Sequence, residues 1–534
     1  MAMQERPVVR PADGGKCWEH TFDTFFLKAY VPDNNLDGQV NNYGFRAPLL
    51  LIFEEERQDM DSAVRFARNK GFAEIAARYD TAVLFVYPTA AGGWAGAGDD
   101  FYPSVIAEIR MIQVYRDGIV ENHDFFRKKF LGYFIRGAVF RADIYSYGAS
   151  ADYVGRHLLK TQQGEFLWGP GEITPAMCSM EGLSVLPDMQ RKDIAVLSAG
   201  NSAEINRAFS GCEHLLIKER ADVPKDFDAF VKRFRMWCGH MEMEPDFPSL
   251  GMTEEAGSVT VRTVPDNRGP EKDLPTHRVG YFAYYNNGLF DNGPVPLVVG
   301  FHGGGDSSMY LTFVAGWWEI AHRHHFLFVS VENHMNVPAA EAVQLIEGLK
   351  QRYPVDEHRI YATGFSMGSG KSWDCFQEFP EVFAGLMPAS ALFPVYRTFY
   401  GDPVPAEKLN RSVPVPVFYS GGEESPLPEL PFHTATALER VQYVAQVNRL
   451  RKKDRFAQLS FDRKDEWEDP IWGVPGDRIE KVFDPSRGSI LTIHYYDSDD
   501  GVCRTAFASV SGQQHECRQH SCENAWKFIS AFRR

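Results

Sequence analysis

The residues best equipped for chemistry are Gly364-Phe365-Ser366-Met367-Gly368. A β-branched and aromatic run, Arg359-Ile360-Tyr361-Ala362-Thr363, leads into them, and a segment carrying Trp373 and Phe376 that can start a helix follows. That order reads as strand, sharp turn and helix, with a serine at the apex. A turn this tight leaves no room for side chains at 364 and 368, so glycines flank the serine. The hydroxyl is then exposed above the carboxyl edge of a sheet, and the helix N-terminus offers free N–H groups and a positive dipole end. A serine so placed suits covalent acyl transfer. Taken alone, Gly-x-Ser-x-Gly also reads as a glycine-rich turn. Gly370-Lys371-Ser372 ends like a phosphate-binding loop, but that motif needs glycine five residues before Gly370, where Phe365 stands.

Acyl chemistry needs three further groups. Ester or amide cleavage puts negative charge on the carbonyl oxygen, and two backbone N–H donors must meet it. His302-Gly303-Gly304-Gly305 follows a strand-like run and lets the backbone approach without intervening side chains; Gly304 and Met367 are the expected donors. Removing one such donor typically costs about 3 kcal/mol in barrier. A hydroxyl also needs a base and the base an orienting acid, in the chain order serine, acid, histidine for an α/β-hydrolase. The loop Ser420-Gly421-Gly422-Glu423-Glu424-Ser425 offers two carboxylates: a Gly-x-x-acid spacing selects Glu424, while comparison with the first half keeps Glu423 open. Two late histidines compete as base. His515 leaves a strand-like run, Thr505 to Val510, whereas His520 stands beside a helix start and reads as a cap or surface residue. His322, His324 and His325 end a helix; no metal site is expected there.

These groups need a sheet to hold them, and the chain reads as two copies of one plan. Pro296 to Phe301 matches Pro48 to Phe53, and Phe328 to Val331 matches Ala82 to Tyr87. Tyr361 to Ser366 matches Tyr145 to Ser150, and Val417 to Gly422 matches Ala195 to Gly200. Such alternation of strands and helices implies parallel sheets covered on both faces. The predicted fold class is α/β, with two tandem α/β-hydrolase-like domains at 1–250 and 251–534. In the first, Glu54-Glu55-Glu56 stands where the second has His302-Gly303-Gly304, and carboxylates would oppose an oxyanion. The first half therefore reads as a degenerate, non-catalytic copy, with Ser150 as its remaining serine at the matched elbow. Between acid and histidine, residues 433–492 carry Trp467, Pro470, Trp472 and Pro475 and suggest a lid-like insertion.

Composition bounds the partners. A net charge of −15 over 534 residues disfavours nucleic acid and anionic membranes. No apolar run is long enough to span a bilayer. Met1 to Gly15 lacks an apolar core and is no signal peptide, so the chain reads as cytoplasmic unless a signal has been removed. The eight cysteines lack zinc spacing, though Cys503, Cys517 and Cys522 could supply one disulfide. Nothing here indicates an oligomeric state.

Val355-Asp356-Glu357-His358-Arg359-Ile360-Tyr361-Ala362-Thr363-Gly364-Phe365-Ser366-Met367-Gly368 resembles the elbow of the polyhydroxybutyrate depolymerase and feruloyl esterase group of α/β-hydrolases. In that group Val-Asp-x-x-Arg-Ile-Tyr-x-Thr-Gly-x-Ser-x-Gly is typical. Pro296 to Gly305 resembles its oxyanion strand and loop. His515 with Ala525-Trp526-Lys527-Phe528 resembles its catalytic histidine and closing helix. The likeness covers roughly residues 275 to 534. It implies a serine esterase with a Ser-His-acid triad and no cofactor, acting on aryl (feruloyl-type), polyester or small acyl esters. The acid departs from the group, which usually has Asp. A serine peptidase of the same fold and a non-catalytic binding protein on a hydrolase scaffold are the alternatives.

Overall fold

In the computed structural model, the strands that the sequence marks as continuous apolar runs become the centres of two large sheets. The structure describes residues 8–10, 15–32, 48–79, 81–110, 137–166, 169–237, 239–268, 272–304, 308–332, 337–397 and 401–534. The chain forms two compact units, Met1–Pro245 and Asp246–Arg534.

The first unit is built on nine strands: β1 (Val8–Arg10), β2 (Gly15–Thr21), β3 (Phe25–Pro32), β4 (Pro48–Phe53), β5 (Val83–Pro88), β6 (Ala138–Tyr147), β7 (Met177–Glu181), β8 (Ala195–Ala199) and β9 (Leu215–Lys218). Their order across the sheet is β1-β2-β3-β5-β4-β6-β7-β8-β9. The second unit contributes β10 (Met252–Arg262), β11 (Thr276–Asn286), β12 (Val295–Phe301), β13 (Leu327–Val331), β14 (Val355–Phe365), β15 (Gly385–Ala389), β16 (Val417–Gly422), β17 (Arg478–Asp484), β18 (Ser489–Asp497) and β19 (Cys503–Val510). Their order is β10-β11-β13-β12-β14-β15-β16-β19-β18-β17.

Eight strands agree between the units in order and sense. The run β2-β3-β5-β4-β6-β7-β8-β9 matches β10-β11-β13-β12-β14-β15-β16-β19. Each begins with two antiparallel pairings and continues in parallel. This is the α/β-hydrolase arrangement, present twice. Parallel strands need crossovers, and the helices that make them cover the sheet. In the helix Ala339–Arg352, Ala339, Ala342, Leu345, Ile346 and Leu349 are buried, the stripe that a 3.6-residue period dictates. Thr434 caps the helix Ala435–Val447, accepting from the N–H of Ala437.

Residues 433–492, where a lid-like insertion is expected, hold regular elements. They supply that crossover helix, a short helix Lys453–Ala457, and β17, which extends the sheet edge as an antiparallel hairpin with β18. Trp472 is fully buried, stacked on Phe507 with ring centroids 5.1 Å apart. Of the aromatic residues that suggested a lid, Trp472 thus packs in the core against Tyr419 and Phe507 of the sheet.

The two copies also show where a sequence match was out of register. Phe53 pairs with Ser146, and Phe301 pairs with Gly364. The position equivalent to Ser366 is therefore Gly148, two residues before Ser150. Backbone geometry agrees: Gly148 has φ 55° and ψ −127°, Ser366 φ 53° and ψ −114°. Their N–H groups donate to the same place, Glu181 O and Ala389 O, each at 3.0 Å. Ser150 is buried, and its hydroxyl donates to Phe53 O at 2.6 Å.

The first unit holds one carboxyl under stress. Asp143 on β6 is buried, and neither of its oxygens has a hydrogen-bond partner among the described residues. It lines a small apolar cavity with Leu50, Phe72, Met177 and Phe227. Burial pushes its pKa well above the ordinary carboxylate range, with Arg141 pulling weakly the other way. A carboxyl whose folded pKa is raised binds more protons folded than unfolded. Its cost to stability therefore grows as pH rises from the unfolded value toward the folded one. Asp143→Asn removes that proton linkage. It should raise the melting temperature at pH 8 by about 3 °C or more, since each kcal/mol is worth about 2–4 °C in a unit this size. The gain should shrink toward pH 4. Equal melting curves for the two proteins at both pH values would contradict this account of Asp143.

Candidate active site

The elbow is a meeting of backbones. A Cβ at Gly364 would lie 2.0 Å from Gly368 O, and one at Gly368 would lie 1.8 Å from Phe301 O. No side chain fits either gap at this spacing, so glycine on both sides lets the helix Met367–Glu378 sit this close to β14 and β12. Ser366 itself takes φ 53°, a region costly for any residue with a Cβ. The oxyanion-loop candidate lies against it: a Cβ on Gly303 would be 3.4 Å from Ser366 Cβ. Met367 opens the helix, so its N–H has no acceptor within the helix. Gly305 lies outside the described residues.

His302 anchors that loop. It is buried, with Nε2 2.6 Å from Glu332 O at the end of β13 and Nδ1 2.7 Å from Gly303 O. Burial holds the imidazole pKa below its ordinary value, with the Glu332 carboxylate pulling the other way.

His515 stands in the loop after β19, and its Nε2 is 2.9 Å from Ser366 Oγ. Its Nδ1 is 2.5 Å from Oε1 of Glu429. The carboxylate that meets the histidine is thus neither Glu424 nor Glu423. Glu424 is exposed, and Glu423 accepts from Ser509 Oγ on β19 at 2.7 Å. The reason is the path of the loop. Pro426-Leu427-Pro428 carries the chain outward, and Glu429 returns beneath the histidine, fully buried. One signal was present in the sequence: of the three acids, only Glu429 leads into an apolar run, Leu430-Pro431-Phe432.

Glu429 is held on every side. Gly422 N donates to Oε2 at 2.7 Å and Ser425 Oγ to Oε1 at 2.6 Å. Tyr419 donates its hydroxyl to Glu429 O at 2.5 Å; burial and the nearby carboxylate push that phenol far above its usual pKa, so it remains a donor. His433 Nδ1 accepts from the N–H groups of Glu429 and Leu430, both at 3.2 Å. Accepting requires the neutral ring, and burial lowers its pKa accordingly. A carboxylate only accepts, so His515 Nδ1 is the donor. That leaves Nε2 free to accept the Ser366 proton.

The remaining sequence candidates lie elsewhere. His520 is in the helix Gln519–Ile529. His322 and His325 meet the Asn286 side chain, and His324 meets Glu523, at a helix end. No metal-holding cluster of His, Cys, Asp or Glu occurs among the described residues. Lys371 Nζ lies 3.5 Å from Asp374. Cys517 and Cys522 are adjacent free thiols with sulfurs 3.4 Å apart, and Cys503 is a free thiol on β19. Among the described residues no helix is long and apolar enough to cross a membrane.

No family model matches the chain, and no curated protein matches it in sequence. Solved structures similar to it include a thermostable esterase at 19% identity, covering 36% of this chain and 52% of that one, with TM-score 0.26. The match thus spans about half of that esterase. S-formylglutathione hydrolase (FrmB) from Staphylococcus aureus is 13% identical over 37% of this chain and 86% of that one, TM-score 0.28. An acetyl xylan esterase from Aspergillus awamori is 11% identical over 51% of this chain and 99% of that one, TM-score 0.32.

The arrangement of the three acids makes a ranking. Glu429→Gln leaves one acceptor where three donors converge and should lower the rate of any Ser366-dependent reaction by roughly 10³- to 10⁴-fold. Glu424→Gln and Glu423→Gln should stay within about threefold of wild type. Steady-state kinetics of the three variants decide it; a larger loss at Glu423 or Glu424 than at Glu429 would remove Glu429 from the role.

Proposed function

We propose that the protein is a serine carboxylic-ester hydrolase whose second unit does the chemistry. The observation that carries this reading is the hydrogen-bonded series Ser366 Oγ, His515, Glu429, ending in a carboxylate with no exposed surface. Ser366 Oγ attacks the ester carbonyl as His515 Nε2 takes its proton. The N–H groups of Met367 and Gly304 receive the oxyanion, and the protonated His515 is steadied by Glu429. The tetrahedral adduct collapses as His515 returns the proton to the leaving alcohol. A water, deprotonated by the same nitrogen, then releases the acid and restores Ser366. No step calls for a cofactor.

The resemblance to the polyhydroxybutyrate depolymerase and feruloyl esterase group suggests the substrate class: aryl esters of the feruloyl type, polyesters or small acyl esters. In this reading the first unit is a non-catalytic copy. Gly148 occupies its elbow apex and provides no nucleophile, and a Cβ there would meet Glu55 Oε1 at 2.0 Å. Glu54, the counterpart of His302, is buried in an ion pair with Lys28 at 2.6 Å.

A fluorophosphonate probe should label Ser366 alone, and Ser366→Ala should cut hydrolysis of a p-nitrophenyl ester by about 10⁶-fold without changing the melting temperature appreciably. Gly148→Ser should add no second labelled serine. Labelling outside Ser366, or a faster rate on a peptide anilide than on the ester, would favour respectively another nucleophile or a peptidase.

A further inference from the structure

We infer that Ser390 and Tyr310 are positioning residues that hold His515 in register, an inference that rests on the proposed role of Ser366 and His515. The histidine loop leaves β19 and reaches the helix Gln519–Ile529 through Glu516 and Cys517. Two hydroxyls from distant elements grip those two residues. Ser390 Oγ donates to Glu516 O at 2.7 Å, and the N–H of Cys517 donates to Tyr310 OH at 2.8 Å. Gln513 Nε2 adds a bond from within the loop to Glu516 O at 2.9 Å.

Ser390 occupies an unusual conformation for the purpose. Its φ is 57°, where residues with a Cβ are strained and glycine is not. It is buried, and its N–H donates to Ser420 O at 2.8 Å, so the backbone is pinned between β15 and β16. The preceding residue, Ala389, accepts the N–H of Ser366 at 3.0 Å. One turn thus holds the serine backbone through its carbonyl and the histidine loop through its hydroxyl. Glycine would relieve the strain and lose that second hold.

Tyr310 works from the other side. It belongs to a buried π-helical turn, Tyr310–Val314, a geometry concentrated at functional sites. Its ring stacks on Phe365 at 4.4 Å, and Phe365, the residue before Ser366, lies 4.9 Å from the His515 ring. Tyr310 therefore ties the residues neighbouring Ser366 and His515 to each other. Displacements near 1 Å at a reacting pair cost on the order of 10²-fold in rate.

Ser390→Ala and Tyr310→Phe should each lower kcat on a p-nitrophenyl ester roughly 10- to 100-fold, with KM within about twofold. In both, the low-field proton resonance of His515 Nδ1–H on Glu429 should broaden or vanish. Ser390→Gly separates positioning from support of the fold: it should match or exceed wild-type thermal stability yet be impaired like Ser390→Ala. Ser366→Ala is run alongside. If it keeps full activity, the underlying reading fails whatever Ser390 does. If it is inactive while Ser390→Gly and Tyr310→Phe keep wild-type kcat and the low-field proton, the positioning roles are overturned and the underlying reading stands.

Discussion

The contact on which the site depends is between two backbones: Gly368 pressed onto the last carbonyl of β12. A single Cβ there would come within 1.8 Å of Phe301 O. Because the helix can approach so closely, the serine is thrust above the sheet at φ 53°, and Gly303 reaches its flank. His302 then fixes the end of β12 to the end of β13. Loosening this contact by one methyl group would move the helix N-terminus and the glycine loop apart together. The first unit handles the same crossing differently. Ser150, its counterpart of Gly368, has a side chain and uses it to bond Phe53 O.

Charge is managed by convergence. Burying a carboxylate is costly unless donors replace its water. Glu429 receives Gly422 N–H, Ser425 O–H and His515 Nδ1–H, and Tyr419 and His433 fix the backbone beside it. Those groups come from a strand end, the loop itself and the histidine, so the acid is assembled by the fold. The first unit shows two other outcomes. Glu54 is paired with Lys28, whereas Asp143 has no such partner among the described residues and its burial favours the protonated form.

The duplicated topology separates what repeats from what does not. Eight strands keep their order because parallel pairing, right-handed crossovers and apolar strand interiors suit many sequences. The elbow conformation persists too, at Gly148 and Ser366. The side chains do not: Gly148 stands where the second unit has Ser366, and Glu54 where it has His302. One backbone conformation can therefore carry different side chains, and strand order alone says nothing of activity.

The sequence by itself determined much that is local. Gly364-x-Ser366-x-Gly368 marks a sharp turn with a serine at its apex. The apolar runs specify buried parallel strands, and the place of His515 after the last parallel strand follows from chain order. It did not determine the register between the copies: Tyr145–Ser150 and Tyr361–Ser366 look aligned, yet strand pairing sets Gly148, two residues earlier, opposite Ser366. Nor did it select the acid among Glu423, Glu424 and Glu429. Register and loop closure are long-range properties, fixed by hydrogen bonds between residues far apart in the chain, such as the 86 positions separating Glu429 from His515. The same holds for Ser390, whose positive φ and bond to Glu516 exist only once β15, β16 and the histidine loop are brought together.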